Sequence, residues 1–133
     1  MDSLDDVKAV LSSTPDLRFA VLVGSRADGT AHAQSDWDIA VAWAPSDDWM
    51  TIIGAHEVLR REIARALGVA EDRIDLIDLA RASLAMRANV AENGKVLMGE
   101  DGLHWKRLLS RTWRELEYFY WEREHASLDI AQR

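Results

Sequence analysis

The segment Asp36-Trp-Asp-Ile-Ala-Val-Ala-Trp43 limits the fold more than any other stretch of the chain. Its side chains alternate with period two: Trp37, Ile39, Val41 and Trp43 face one way, and Asp36, Asp38, Ala40 and Ala42 face the other. That pattern predicts a β-strand with one bulky core face and one smooth face headed by two acids. Upstream, Leu17-Arg-Phe-Ala-Val-Leu-Val23 reads as a short buried strand that gives way at Gly24-Ser25 to a short helical segment. Asp28-Gly29-Thr30 through Gln34 has turn residues and no apolar period, which predicts a loop. Ten residues thus separate Ser25 from Asp36.

Helical patterns fill most of the rest. Ser3 is expected to cap a first helix carrying Val7, Val10 and Leu11, stopped by Pro15-Asp16. Pro45 to Asp48 ends the second strand and caps a helix reaching about Leu67, with Gly68 as its stop. In that helix Trp49, Ile52, Ile53, His56, Leu59, Ile63 and Leu67 form one stripe, predicted to face the core. Arg73 to Leu79 is a third strand, and a helix from about Ala82 to Glu92 ends at Asn93-Gly94. Lys95 to Met98 follows as a short fourth strand, and Leu103 to Ser127 as a long helix. This order predicts an α/β (α+β) fold, a small mixed sheet flanked by helices. The length of 133 residues suits one domain over 1–133, with a core at about 17–99 and the C-terminal helix at about 103–127.

Two carboxylates at i and i+2 of a strand project to the same side and repel unless a cation lies between them. Magnesium suits Asp36 and Asp38: it takes carboxylate oxygens and keeps other positions for water and phosphate. Gly24-Ser25 supplies a complementary half, because glycine lets the backbone approach a phosphate and free amides at a helix start favour negative charge. A third acid would allow two metal ions side by side. The third strand offers Asp75 and Asp78, which point to opposite faces, and periodicity alone does not choose between them.

Composition narrows the alternatives. With 16 basic and 23 acidic residues the formal net charge is -7, which argues against broad nucleic-acid binding, although Arg107, Arg111 and Arg114 could share one helix face. No apolar run approaches the roughly 20 residues that cross a bilayer. There is no cysteine, and Met1 to Asp6 is acidic, unlike a secretory leader; the cytoplasm is the default location.

Gly-Ser, ten residues and Asp-x-Asp after an apolar strand, followed by Ile74-Asp-Leu-Ile-Asp-Leu79, resembles the minimal nucleotidyltransferases of the DNA polymerase beta superfamily. Within that group the likeness is to the MNT-type antitoxins of the HEPN/MNT toxin–antitoxin systems, and it covers roughly Leu17 to Gly99. The resemblance implies a polymerase beta-like nucleotidyltransferase fold, with Gly24 and Ser25 holding ATP and Arg26 reaching a phosphate. It implies Asp36, Asp38 and Asp75 as the catalytic, Mg2+-binding acids, with two ions. It also implies transfer of AMP to a tyrosine of a HEPN ribonuclease toxin, which neutralises the toxin. Two other readings use the same residues: an antitoxin that acts by binding alone, and an enzyme whose acceptor is a small molecule such as an aminoglycoside.

The final helix bears on the partner. Trp105, Trp113, Leu116 and Tyr120 make one apolar stripe, while Tyr118, Trp121 and His125 fall on a different side. A helix apolar on two sides of so small a domain is expected to face a partner as well as the core.

Overall fold

The computed structural model describes residues 3–131 of the chain. Four strands, β1 (Leu17–Val23), β2 (Trp37–Trp43), β3 (Ile74–Asp78) and β4 (Lys95–Met98), form one sheet in the order β3-β2-β1-β4. β1 runs antiparallel to both β2 and β4, and β2 pairs in parallel with β3. The helices are α1 (Ser3–Ser12), α2 (Ser25–Asp28), α3 (Trp49–Leu67), α4 (Leu84–Asn93) and α5 (Leu103–Ala131). The mixed sheet flanked by helices is the architecture expected from the order of patterns. A capping role for the Ser3 side chain lies outside the described residues, as do Met1 and Asp2.

β1 is central and covered on both faces, which is why it reads as a nearly unbroken apolar run. On one face Val7 and Leu11 of α1 and Leu59 and Ile63 of α3 pack onto Ala20, Leu22, Ile39 and Val41. On the other, Val90 of α4 and Trp105 and Leu108 of α5 pack onto Phe19, Val21, Val23 and Ala40. The smooth face of β2 is therefore not left to solvent. Its alanines leave room for the larger groups of α4 and α5.

Local signals set the helix ends. Asp48 caps α3 by accepting from the amides of Met50 and Thr51 at 3.1 and 3.3 Å. Gly68 closes α3 in a left-handed conformation, φ 69°. Its amide donates to the Arg65 carbonyl at 3.2 Å.

Two predicted core stripes are only partly buried. Trp49 is 60% exposed and Ile53 45%, because α3 turns only Leu59, Ile63 and Ala64 fully inward. Its first two turns carry no buried residue. In α5 the buried side is Trp105, Leu108 and Thr112, whereas Trp113 and Tyr120 are exposed. His56 on α3 is a structural histidine: Nδ1 accepts from the Trp43 indole at 3.2 Å, and Nε2 lies 2.9 Å from the Leu76 carbonyl, to which it donates. Among the described residues no helix is long and apolar enough to cross a membrane.

Ile63 is fully buried between α1, α3 and the sheet. Ile63→Ala is expected to lower the unfolding free energy by about 2–5 kcal/mol through lost transfer energy and a residual cavity. Urea denaturation followed by circular dichroism measures it.

Candidate active site

β1 delivers Gly24 to the edge of the sheet, and β2 starts beside it in the opposite direction, so Val23 lies across from Asp38. Gly24 takes φ 73°, a region that side chains disfavour. A Cβ there would also collide with Oδ2 of Asp38 and come within 3.3 Å of its Cγ. Conformation thus requires glycine, and a side chain there would also push the Asp38 carboxylate aside. Ser25 opens α2 directly afterwards, and the amides of Ala27 and Asp28 return to the Gly24 carbonyl at 3.0 and 3.2 Å.

The parallel pairing of β2 with β3 sets Asp38 opposite Asp75. Asp78 is three residues on, on the other side of the strand, and is used locally: its carboxylate accepts from the Ala80 amide at 3.0 Å and starts a short 3-10 turn over Leu79–Arg81. Leu79, predicted as the last strand residue, belongs to that turn. Of the two acids that periodicity left open, Asp75 alone lies beside Asp38 in the register.

Burial holds the Asp38 carboxyl above the usual carboxylate range, and the negative charges of Asp75 and Asp36 and a hydrogen bond shared with Asp75 push it the same way. Strands about 4.8 Å apart put such charges close enough to repel by up to about 3 kcal/mol at an effective dielectric near 20. A divalent cation between the two carboxylates removes that cost, so the donor set suits Mg2+.

Asp36 sits just before β2 rather than within it, and is turned outward. Its Oδ1 is 3.1 Å from Nε of Arg73, the residue that leads into β3. Arg73 also donates to Gln34 Oε1 at 3.2 Å and to the Ser35 carbonyl at 3.3 Å, tying the loop before β2 to the start of β3. As placed, no three acidic or histidine side chains among the described residues gather as one metal-ligand group. The structure brings Asp38, Asp75 and Gly24 together and leaves Asp36 alongside, paired with arginine. Arg73 carried no signal in the sequence; only the parallel register of β2 and β3 reveals it.

Arg26 lies over Trp37, its guanidinium 4.3 Å from the ring, and donates to the Ser35 carbonyl at 2.9 Å. Arg73 donates to that same Ser35 carbonyl, so the two arginines converge on one point of the loop. His32 stays within the loop, accepting from the Gln34 amide at 3.1 Å.

A glycine turn against one carboxylate, with a second carboxylate on the adjacent parallel strand, has the chemistry to accept the phosphates and a divalent cation of a nucleotide. Residues 5–102 match the polymerase beta nucleotidyltransferase family, and the chain belongs to that family. Among curated proteins it is similar to the protein adenylyltransferase MntA of Aphanizomenon flos-aquae, 35% identical over 97 residues, covering 70% of this chain and 64% of that one. MntA of Shewanella oneidensis is 36% identical over 94 residues, covering 70% and 62%. The chain thus matches a little under two thirds of the length of these relatives. Among solved structures, a chain of a toxin–antitoxin structure with AMP-PNP superposes with a TM-score of 0.71 at 29% identity, covering 96% of this chain and 97% of that one. A complex of tri-AMPylated Shewanella oneidensis HEPN toxin with MNT antitoxin gives 0.64 at 26% identity, covering 96% and 95%.

The raised Asp38 carboxyl yields a prediction on stability. Its ionisation works against the fold, so the penalty is absent below the ordinary carboxylate value near 4 and complete above the raised one. In EDTA, Asp38→Asn is expected to raise the melting temperature by about 3 °C at pH 7, with the gain vanishing toward pH 4. Thermal melts across that range test it; a loss of stability at pH 7 contradicts it.

Proposed function

We propose that the chain is an antitoxin adenylyltransferase that moves AMP from Mg-ATP to a tyrosine of a cognate HEPN ribonuclease toxin and thereby silences it. The observation that carries this reading is the apposition of Asp38 and Asp75 across parallel strands, with the Gly24 backbone against Asp38. The likeness to MntA protein adenylyltransferases and to a toxin–antitoxin structure with AMP-PNP supports the donor, and the likeness to a complex of AMPylated HEPN toxin with MNT antitoxin supports the acceptor class. We assign one domain to residues 1–133 and a cytoplasmic site of action.

In this reading Gly24 and Ser25 hold the triphosphate, and Asp38 and Asp75, with Asp36 once it leaves Arg73, hold up to two Mg2+ ions. A cation held by these carboxylates would supply charge neutralisation for the phosphates. The tyrosine oxygen attacks the α-phosphorus, the bond to pyrophosphate breaks, and the phenolic proton passes to the Asp75 carboxylate. Positioning and charge neutralisation carry such a transfer, so no special nucleophile on the enzyme is needed. Arg26 keeps the loop between the two motif halves in place.

With α-labelled ATP, Mg2+ and the purified toxin, label is expected on the toxin. Asp38→Asn or Asp75→Asn should reduce transfer at least a thousandfold while the complex still forms. No label from the intact chain sinks the reading. Full protection of cells by the asparagine variants would make the chain an antitoxin by binding alone.

A further inference from the structure

The last helix is longer than the domain needs. Its buried side chains, Trp105, Leu108 and Thr112, all lie in its first ten residues, and from Glu117 to Ala126 every side chain is exposed. Along it, Arg107, Arg111, Arg114, Tyr118, Trp121 and His125 recur at spacings of four, three, four, three and four. That alternation keeps all six on one stripe, about 27 Å long at 1.5 Å per residue, and it is the seam spacing by which one helix packs along another.

The stripe has two halves. The arginine half borders a groove of about 530 Å³ between α5 and the ends of β1 and β2, where Arg18 and His104 add to the basic lining and Phe19 and Trp43 to the apolar part. None of the groove's lining residues is acidic, in a chain whose acids outnumber its bases by 23 to 16. Among the described residues Arg18, Arg107 and Arg114 have no ion-pair partner; Nε of Arg111 lies 3.8 Å from Glu115, a carboxylate already held by Arg87 at 2.7 Å. The aromatic half is pre-stacked: Tyr118 on Trp121 with centroids 6.2 Å apart, and Trp121 on His125 at 3.8 Å. Stacking in advance reduces the side-chain entropy lost on binding.

We propose that this stripe docks a helix of the acceptor protein, with carboxylates against Arg107, Arg111, Arg114 and Arg18 and apolar side chains against Tyr118 and Trp121. Charge decides the occupant. A second copy of this chain laid parallel would set arginine on arginine. Laid antiparallel it would set the arginines over rings, an attractive contact, but would bring no carboxylate of the stripe to offset the charge of the groove and would leave Arg18 and His104 unmatched. Carboxylates on a foreign helix neutralise the whole groove, and a basic surface on an acidic protein also steers an acidic partner to it. The groove is at the far end of the sheet from Asp38, since Phe19 pairs with Ala42 where Val23 pairs with Asp38. Four residues of β2, about 13 Å, separate the two places, so docking leaves the carboxylates free for chemistry.

The identity of the partner rests on the adenylyltransferase reading; the surface is tested apart from it. The full-length chain and its co-expressed toxin are mixed at 0.15 M salt, and the dissociation constant is measured for the intact chain, for R107E/R111E/R114E and for Y118A/W121A. Circular dichroism checks the fold of each, and the dissociation constant for Mg-AMP-PNP is read in parallel. The triple variant is expected to weaken the complex at least a hundredfold and lose most of its salt dependence. The aromatic variant should weaken it at least tenfold, with nucleotide affinity unchanged in both. Binding within twofold of the intact chain in either folded variant overturns the proposal. So does an intact chain that fails to bind the toxin, or one whose stripe proves by sedimentation to be a self-association surface. An intact chain that binds through the stripe but transfers no AMP would remove the enzymatic reading and leave the docking surface in place.

Discussion

The pairing of β2 with β3 puts Asp38 beside Asp75, and most of the remaining structure answers to that like-charge contact. Two carboxylates on neighbouring strands repel, and Asp38 is partly shielded from the water that would relieve it. The rest of the sheet absorbs the strain. β1 is held on both sides by apolar neighbours, and Ala20, Val21, Ala40 and Val41 are fully buried directly behind the carboxylates. A site that destabilises its own fold when metal-free is what a cation-dependent enzyme is expected to carry, because the repulsion becomes binding energy once the cation arrives.

Arginine enters this balance twice. Arg73 neutralises Asp36 and fastens the loop before β2 to the approach of β3, so the strands carrying Asp38 and Asp75 stay in register at the end where register matters. Arg26 fastens the same loop through the same Ser35 carbonyl and through Trp37. The end of the loop between Ser25 and Asp36 is therefore held by two arginines that converge on the Ser35 carbonyl, despite its loop-like composition.

Much of this could be read from sequence, and the reasons for the exceptions are physical. The alternation from Asp36 to Trp43 announced β2 and its two faces, and Gly24 followed by Ser25 announced the turn, because both signals are local and backbone-based. Asp48 and Gly68 gave the ends of α3 for the same reason. Burial of Trp49 and Trp113 could not be read, since a helical stripe reports which side is apolar but not how far the sheet extends beneath it. The choice between Asp75 and Asp78 needed the register of a parallel pair, which periodicity does not contain. Arg73 was invisible for the same reason: its partner Asp36 is 37 residues away in the chain.

In the proposed reading Asp38 and Asp75 form one cation and phosphate site, whereas Asp78 serves as a cap. Calorimetric titration of AMP-PNP in the presence of Mg2+ tests it most directly, using Asp75→Asn beside Asp78→Asn. An asparagine at 78 can still accept from the Ala80 amide, so Asp78→Asn keeps the cap and leaves the site intact. Nucleotide binding is therefore expected to weaken at least tenfold in Asp75→Asn and to stay within twofold in Asp78→Asn. Retention by the Asp75 variant together with loss in the Asp78 variant would contradict the account.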